Sequence, residues 1–291
     1  MIPAERIKVA RLLSAASVAP RVLWSDDDTG ILVQEPLLND SQATDEAADA
    51  RMLEATAEIQ SLVTVQGPEA ERFHRAIHLA ATATNEDHAV RLVDDAATEL
   101  NFAFLGVKPC LRKCHPQIEL LRIASYLRKN AWAVRPEFGV RARSLVRFLI
   151  SQCSLIHADP LLQHGSMKSE HLMRRTDGSA AVCDLDHAGL YVGPYDIAHW
   201  FHERHSNSEV PLPFQMLKRI HRLASTDDDR FLGAVWFAVF PIYNALWRFA
   251  CGDWRPRLWE MQFLTGYPEA FRKVFIQSRE SVAGHLCPLG I

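Results

Sequence analysis

No glycine occurs before Gly30, and neither G-x-x-x-x-G-K-[ST] nor G-x-G-x-x-G appears anywhere in the 291 residues. A phosphate-cradling loop of either kind is therefore excluded. A disulfide rhythm is missing as well. The six cysteines, at 110, 114, 153, 183, 251 and 287, are scattered, so free thiols in a reducing cytoplasm are expected. "CLRKCH" (110–115) is C-x3-C-H, one residue too long for haem attachment and without a second ligand pair for zinc. Neither sign of charge is in large excess: the formal net charge is −3. No basic run is interleaved with aromatics, so nucleic acid is not an expected partner. "MIPAERIKVARLLSAASVAP" carries charges throughout and no long apolar core, which argues against a secretory leader. The one apolar run that invites a membrane reading, "FLGAVWFAVFPIYNALW" (231–247), contains Pro241 and Asn244. It also falls short of the about 20 residues a span needs. A core helix, kinked or broken near Pro241, is expected there, and no membrane partner.

What is present is an ordinary globular composition, 48% hydrophobic and 23% charged. Residues 5–18 read as a helix, with Val9, Leu12, Leu13 and Ala16 on one face, ended by Pro20. "RVLW" and "ILVQ" around "SDDDTG" read as a hairpin whose aspartates are a solvated turn. From 39 to about 157 the pattern is mostly helical: one helix places Met52, Ala55, Ile59 and Leu62 on a face, and others follow at about 69–82, 86–100, 116–128 and 137–157. After Asp159-Pro160 come "LLQH" and "AAVCDLD", short apolar pieces around a turn at Asp177-Gly178. Helices resume from Asp196, through 212–224 and 230–250, to a last one near 268–284. The expected class is α+β, a small hairpin element followed by a helix-rich part with an inserted β-hairpin. No repeat is evident.

The chemistry concentrates in 161–201. A strand ending in Asp184-x-Asp186 would point both carboxylates one way, because strand side chains alternate. Such a pair suits a hard cation, and Lys168 in the preceding loop could meet a phosphate as a point charge. The competing reading is a hairpin whose terminal acids are merely solvated. His199, His202 and His205 stand three apart and could build a multi-histidine metal site near Asp184, Asp186 and His187, or could simply be a histidine-rich helix start.

The order "HGSMKSEH" (164–171), "CDLD" (183–186), "AGL" (188–190) and "YDIA" (195–198) resembles the catalytic core of the aminoglycoside phosphotransferase and choline kinase group, of protein-kinase-like fold. That group shows H-G-D-x-x-x-x-N, a hairpin, an I-D-[FW]-[DE] strand and a D-P-x-x-D-[LI]-A helix start. The resemblance is specific over about 160–200. It implies a reduced N-terminal hairpin lobe, 1–38, and a large helical C-terminal lobe, 39–291, with the catalytic-loop-like segment at 161–201. It implies ATP with Mg²⁺ or Mn²⁺ as cofactors and a small-molecule hydroxyl as acceptor. By the same resemblance Asp184 holds the metal against the nucleotide, Asp186 is a second acid, and Asp196 braces the loop through backbone N–H groups. Lys168 matches a lysine two residues after the catalytic aspartate of many protein kinases, and Glu35 falls at the hinge beside the nucleotide.

Three departures accompany the match. Ser166 stands where the aspartate receives the acceptor's proton, and a serine hydroxyl is no base near pH 7. General-base help of roughly 10²–10⁴-fold would be lost unless His164, Glu170 or Asp186 supplied it. His171 stands where an asparagine holds the second metal, and imidazole favours softer ions. The phosphate-covering strands and their lysine have no counterpart ahead of the hairpin. Lys8 lies on a helical stretch and is a poor substitute, leaving Glu5 as an orphaned acid; a truncated start is one explanation. Two functions follow: an ATP-dependent small-molecule phosphotransferase, or a non-catalytic kinase-like protein that binds a ligand or partner.

Overall fold

In the computed structural model, residues 4–39, 45–83, 85–108, 114–152, 158–206, 213–224, 226–253 and 258–276 are described. Helix α1 (Ala4–Ala15) buries Ile7, Val9, Ala10 and Leu13. It is shorter than its apolar pattern suggests: Ser17 takes a left-handed φ of 61° and turns the chain five residues before strand β1 (Val22–Asp26). β1 pairs antiparallel with β2 (Ile31–Gln34), the expected hairpin. β3 (Leu38–Asn39) crosses to another sheet, where it pairs with β5 (Leu172–Arg174).

Helices follow in the expected places: α2 (Asp45–Ser61), α3 (Pro68–Thr82), α4 (Glu86–Leu105), α5 (Pro116–Lys129) and α6 (Pro136–Gln152). Their starts are written locally. Pro68 and Pro116 occupy first-turn positions where no N–H is needed, and Asn85 accepts from the backbone N–H groups of Asp87 and His88 to cap α4. Met52, Ala55 and Ile59 of α2 are buried as expected.

Pairing after Pro160 differs from the simplest reading. β4 (Pro160–Gln163) pairs antiparallel with β7 (Gly189–Val192) and not with the segment before Cys183. The hairpin around Asp177-Gly178 joins β5 to β6 (Ala180–Val182), and Gly178 turns it with a φ of 91°. Two short antiparallel sheets therefore interleave in sequence, a non-local arrangement that alternation alone does not specify.

α7 (Tyr195–Ser206), α8 (Pro213–Leu223), α9 (Asp227–Ala250) and α10 (Leu258–Phe271) complete the fold. α9 runs through Pro241 as one helix, neither broken nor ended there, and every residue from Phe231 to Ile242 is buried. Tertiary burial outweighs the hydrogen bond that proline removes. It packs against α5, α7, α8 and α10. α10 begins ten residues before the expected last helix and includes Pro268; a π-helical turn, Arg272–Ile276, follows. The expected continuation to 284 lies outside the described residues, as do 153–157 and Cys110 of the C-x3-C-H spacing. The result is mostly helical with three small sheets, the mixed class expected. Among the described residues no helix is long and apolar enough to cross a membrane.

Candidate active site

The loop after β4 is built from buried polar groups that satisfy one another. Gln163, fully buried, accepts the Asp196 backbone N–H through Oε1 at 2.9 Å and donates through Nε2 to the Gly193 carbonyl at 2.6 Å. Asp196, also fully buried at the start of α7, accepts the backbone N–H of His164 at 2.7 Å and of Gly165 at 2.9 Å. This is the brace expected of it. Burial pushes its carboxyl up to about 7, against the pull of those two N–H donors. Gly165 has a φ of 77°, and a Cβ there would lie 2.1 Å from the His187 carbonyl oxygen and 2.4 Å from the Tyr191 hydroxyl. Only glycine fits.

His164 lies wholly inside. Its Nδ1 accepts the Ser166 N–H at 3.2 Å, so Nε2 carries the proton and donates to the Cys183 carbonyl at 2.8 Å. Burial brings its pKa down to about 4, and the ring is neutral near pH 7. With both nitrogens engaged, His164 supports the loop and has no nitrogen left for an acceptor's proton. Ser166 is buried beside it. Lys168 is about one third exposed, its Nζ 3.8 Å from Glu170 Oε1.

His171 ends a short 3₁₀ turn, Ser169–His171, just before β5. Nδ1 donates to the Ser166 carbonyl at 2.7 Å, and Nε2 stands 3.1 Å from Asp184 Oδ2 and 3.7 Å from Glu170 Oε1. Asp184 is left-handed, with φ 61° and ψ 63°, a strained conformation for a residue with a side chain. β6 ends at Val182 and Asp186 sits in the next turn, Leu185–His187. Strand alternation is therefore not what relates the two aspartates; a left-handed turn is. Both line a cleft of about 200 Å³ closed by Arg6 and Ala10 of α1 and by Leu32 and Gln34 of β2.

Glu35 follows β2. Its carboxylate accepts the Arg21 backbone N–H at 2.8 Å and pairs with Arg175 Nε at 2.8 Å; the Arg21 N–H and then Arg175 hold its pKa below the usual carboxylate range. Arg175 also donates to the carbonyls of Ser17 and Ala19, clamping the turn after α1 to the β5–β6 hairpin. The α7 histidines do not converge. His199 Nδ1 donates to the Met167 carbonyl at 2.9 Å with its ring stacked on Tyr195, and buried His202 accepts from Asn244 Nδ2 at 2.8 Å against Phe240. The side chains of His205 and Glu5 lie outside the described residues. Among the described residues no three His, Cys, Asp or Glu side chains form a ready metal cluster.

Arg6, Gln163 and Arg175 escaped the sequence reading. Arg6 donates to the carbonyls of Ala188 at 2.8 Å and Lys108 at 3.1 Å, partners 182 and 102 residues away. No local spacing signals contacts of that range.

No protein-family profile matches the chain, and no curated protein matches it in sequence. Among solved structures it is similar to an ethanolamine kinase of Plasmodium vivax, at 13% identity and TM-score 0.49 over 95% of this chain and 73% of that one. A choline/ethanolamine kinase family protein from Mesorhizobium loti is similar at 12% identity and TM-score 0.44, over 96% and 79% of the two chains. An aminoglycoside 2'-phosphotransferase-IIIa, in its GDP complex, is similar at 12% identity and TM-score 0.47, over 94% and 83%. These likenesses are of outline, and the functional reading rests on the site's own residues.

Proposed function

We propose that the protein is a metal-dependent phosphotransferase that moves the ATP gamma-phosphate to a hydroxyl of a small molecule. One observation carries this reading: a braced loop, 164–168, holds His171 through the Ser166 carbonyl, and His171 stands 3.1 Å from Asp184, a strained aspartate that lines a cleft. Two buried backbone N–H groups, a buried carboxylate and a glycine with no alternative are committed to holding that loop. Asp184 Oδ2 and His171 Nε2, 3.1 Å apart, are donors suited to one divalent cation. Such a cation, when bound, neutralises charge on phosphate oxygens. The cleft of about 200 Å³ is smaller than the roughly 300–1,000 Å³ usual for small-molecule pockets. It therefore fits the phosphate-and-cation end of a nucleotide and not the whole of one. Lys168 supplies a positive charge on the same loop, and Ser166 would lie beside the acceptor. Since phosphoryl transfer depends mostly on positioning and charge, the missing base slows the reaction without forbidding it.

A second reading, a non-catalytic ligand-binding protein, is favoured by one specific feature. His164 has both nitrogens engaged, so of the three candidate bases named from the sequence the exposed acids Glu170 and Asp186 remain to take a proton. Thermal shift separates nucleotide binding from its absence. ATP with a divalent cation should raise Tm, because a ligand of the native state stabilises it by mass action, and Asp184→Asn should remove the shift. No shift with ATP or GTP under Mg²⁺, Mn²⁺ or Zn²⁺ would overturn nucleotide binding. ADP release on addition of small alcohols then separates enzyme from binder.

A further inference from the structure

His171 has one ring nitrogen committed and the other aimed at a carboxylate. Nδ1–H donates to the Ser166 carbonyl at 2.7 Å, so the lone pair of the neutral ring sits on Nε2, 3.1 Å from Asp184 Oδ2. Two bare acceptors do not rest at that distance without a positive charge on or between them. The ring is buried and cannot easily turn away: the His171 backbone N–H bonds the Lys168 carbonyl at 3.1 Å, and its own carbonyl receives the Cys183 N–H at 2.9 Å. Anchoring one imidazole nitrogen on a backbone carbonyl is how proteins orient metal-ligating histidines. Two donors held about 2.1 Å from one ion lie about 3.0 Å apart at the right angle of an octahedral sphere and about 3.4 Å apart at the tetrahedral angle of a structural zinc site. The pair, at 3.1 Å, fits the octahedral spacing.

The geometry points to a two-ligand seat on His171 Nε2 and Asp184 Oδ2 for a transition-metal cation in octahedral geometry, Mn²⁺ or six-coordinate Zn²⁺, with the imidazole donor setting it in preference to Mg²⁺. Mg²⁺ takes oxygen donors in near-octahedral geometry and gives up water reluctantly, whereas imidazole suits the later divalent metals. A ring nitrogen at this point therefore selects against the commoner ion. The cation completes its sphere with water and with phosphate oxygens of a ligand entering the cleft, so the inference deepens the phosphotransferase reading and shares its cleft. It explains why a buried imidazole with a fixed tautomer stands against Asp184, which lines a phosphate-sized space.

Calorimetric titration of the apo protein with ZnCl₂, MnCl₂ and MgCl₂, without nucleotide, tests it alone. Zn²⁺ and Mn²⁺ should bind at least tenfold tighter than Mg²⁺. His171→Asn should weaken both at least tenfold and bring the three ions toward parity, while the exposed His88→Asn should change nothing. Asp184→Asn removes the other donor without disturbing a buried ring and should also abolish the preference, which keeps the test valid if His171→Asn folds poorly. Equal binding of Zn²⁺ and Mg²⁺ to the wild type, or an unchanged ratio in both variants, would overturn the inference and leave a protonated His171–Asp184 pair. Zn²⁺ bound through His171 with no nucleotide affinity would sustain this inference while sinking the phosphotransferase reading; ATP bound equally well with Mg²⁺ would do the reverse.

Discussion

Two structures flank Asp184 and are made differently. On one side the loop from Gln163 to His171, which reaches Asp184 through His171, is held by α7, β7 and the turn after β6, through buried hydrogen bonds to side chains and backbone. On the other side the β1–β2 hairpin exposes about half of Leu23, Trp24, Ile31 and Val33. It is tied to α1 by Arg11, which donates to Ser25 and pairs with Asp27 in solvent. Exposed ion pairs of that kind contribute about 0–1 kcal/mol. Two-stranded sheets are marginal by themselves, so the hairpin depends on α1 and on the Arg175 clamp. The lesson is that one flank of Asp184 is fixed by buried polar chemistry and the other depends on its neighbours.

Gly165→Ala should produce the largest effect that breaks or upholds this contrast. The new methyl would need a left-handed backbone, costing about 1–2 kcal/mol, and would overlap the His187 carbonyl and the Tyr191 hydroxyl. Overpacking adds about 1–3 kcal/mol. A loss of roughly 3 kcal/mol or more in urea denaturation, or failure to fold, is expected. A loss below about 1 kcal/mol would mean the loop is not the rigid flank.

The next effect is a matter of pH. His164 has its folded pKa brought down to about 4 from an ordinary value of about 6.5. The stability this represents is complete above about pH 6.5 and is lost as pH falls toward 4. Asp196 is shifted the other way, up to about 7 from about 3.9. Its contribution is complete below about pH 4 and is lost as pH rises through 7. Between these limits the two oppose, each by about 1.4 kcal/mol per pH unit, and the wild type should vary little on their account. His164→Gln leaves Asp196 alone, so stability should fall from pH 4.5 to 6.5. Asp196→Asn should make it rise over the same range. Parallel slopes in the two variants would refute the assignment.

Much of this molecule was legible from sequence where the physics is local. Pro68, Asn85 and Pro116 announce helix starts, Asp177-Gly178 announces a turn, and the order of His164, Asp184 and Asp196 pointed to the candidate site. The rest depended on long-range pairing. β4 joins β7 because α7 returns Asp196 beneath the loop, and no pattern within "LLQH" says so. The two aspartates were expected to share a strand face, but the left-handed φ of Asp184 overrides alternation. Pro241 looked like a breaker and Pro268 like a helix start, yet both sit within helices. Around Pro241 the neighbours are buried on several sides, and packing outweighed the lost hydrogen bond. Arg6 and Arg175 act through backbone carbonyls of distant segments, which carry no residue-type signature.

The smallest expected effect lies in the hairpin, and it completes the comparison. Ile31 pairs with Asp26 across the β1–β2 ladder and is about half exposed. Threonine is β-branched like isoleucine and keeps the strand preference, so Ile31→Thr removes only apolar surface that water already reaches. The change in stability should stay within about 0.5 kcal/mol, well under the loss at Gly165. Because Leu32 and Gln34, and not Ile31, line the Asp184 cleft, the Tm increase given by ATP with a cation should be unaltered as well. If Ile31→Thr instead cost several kcal/mol, the exposed face would be carrying stability that its burial does not account for. The division of the surroundings of Asp184 into a fixed flank and a dependent one would then have to be abandoned.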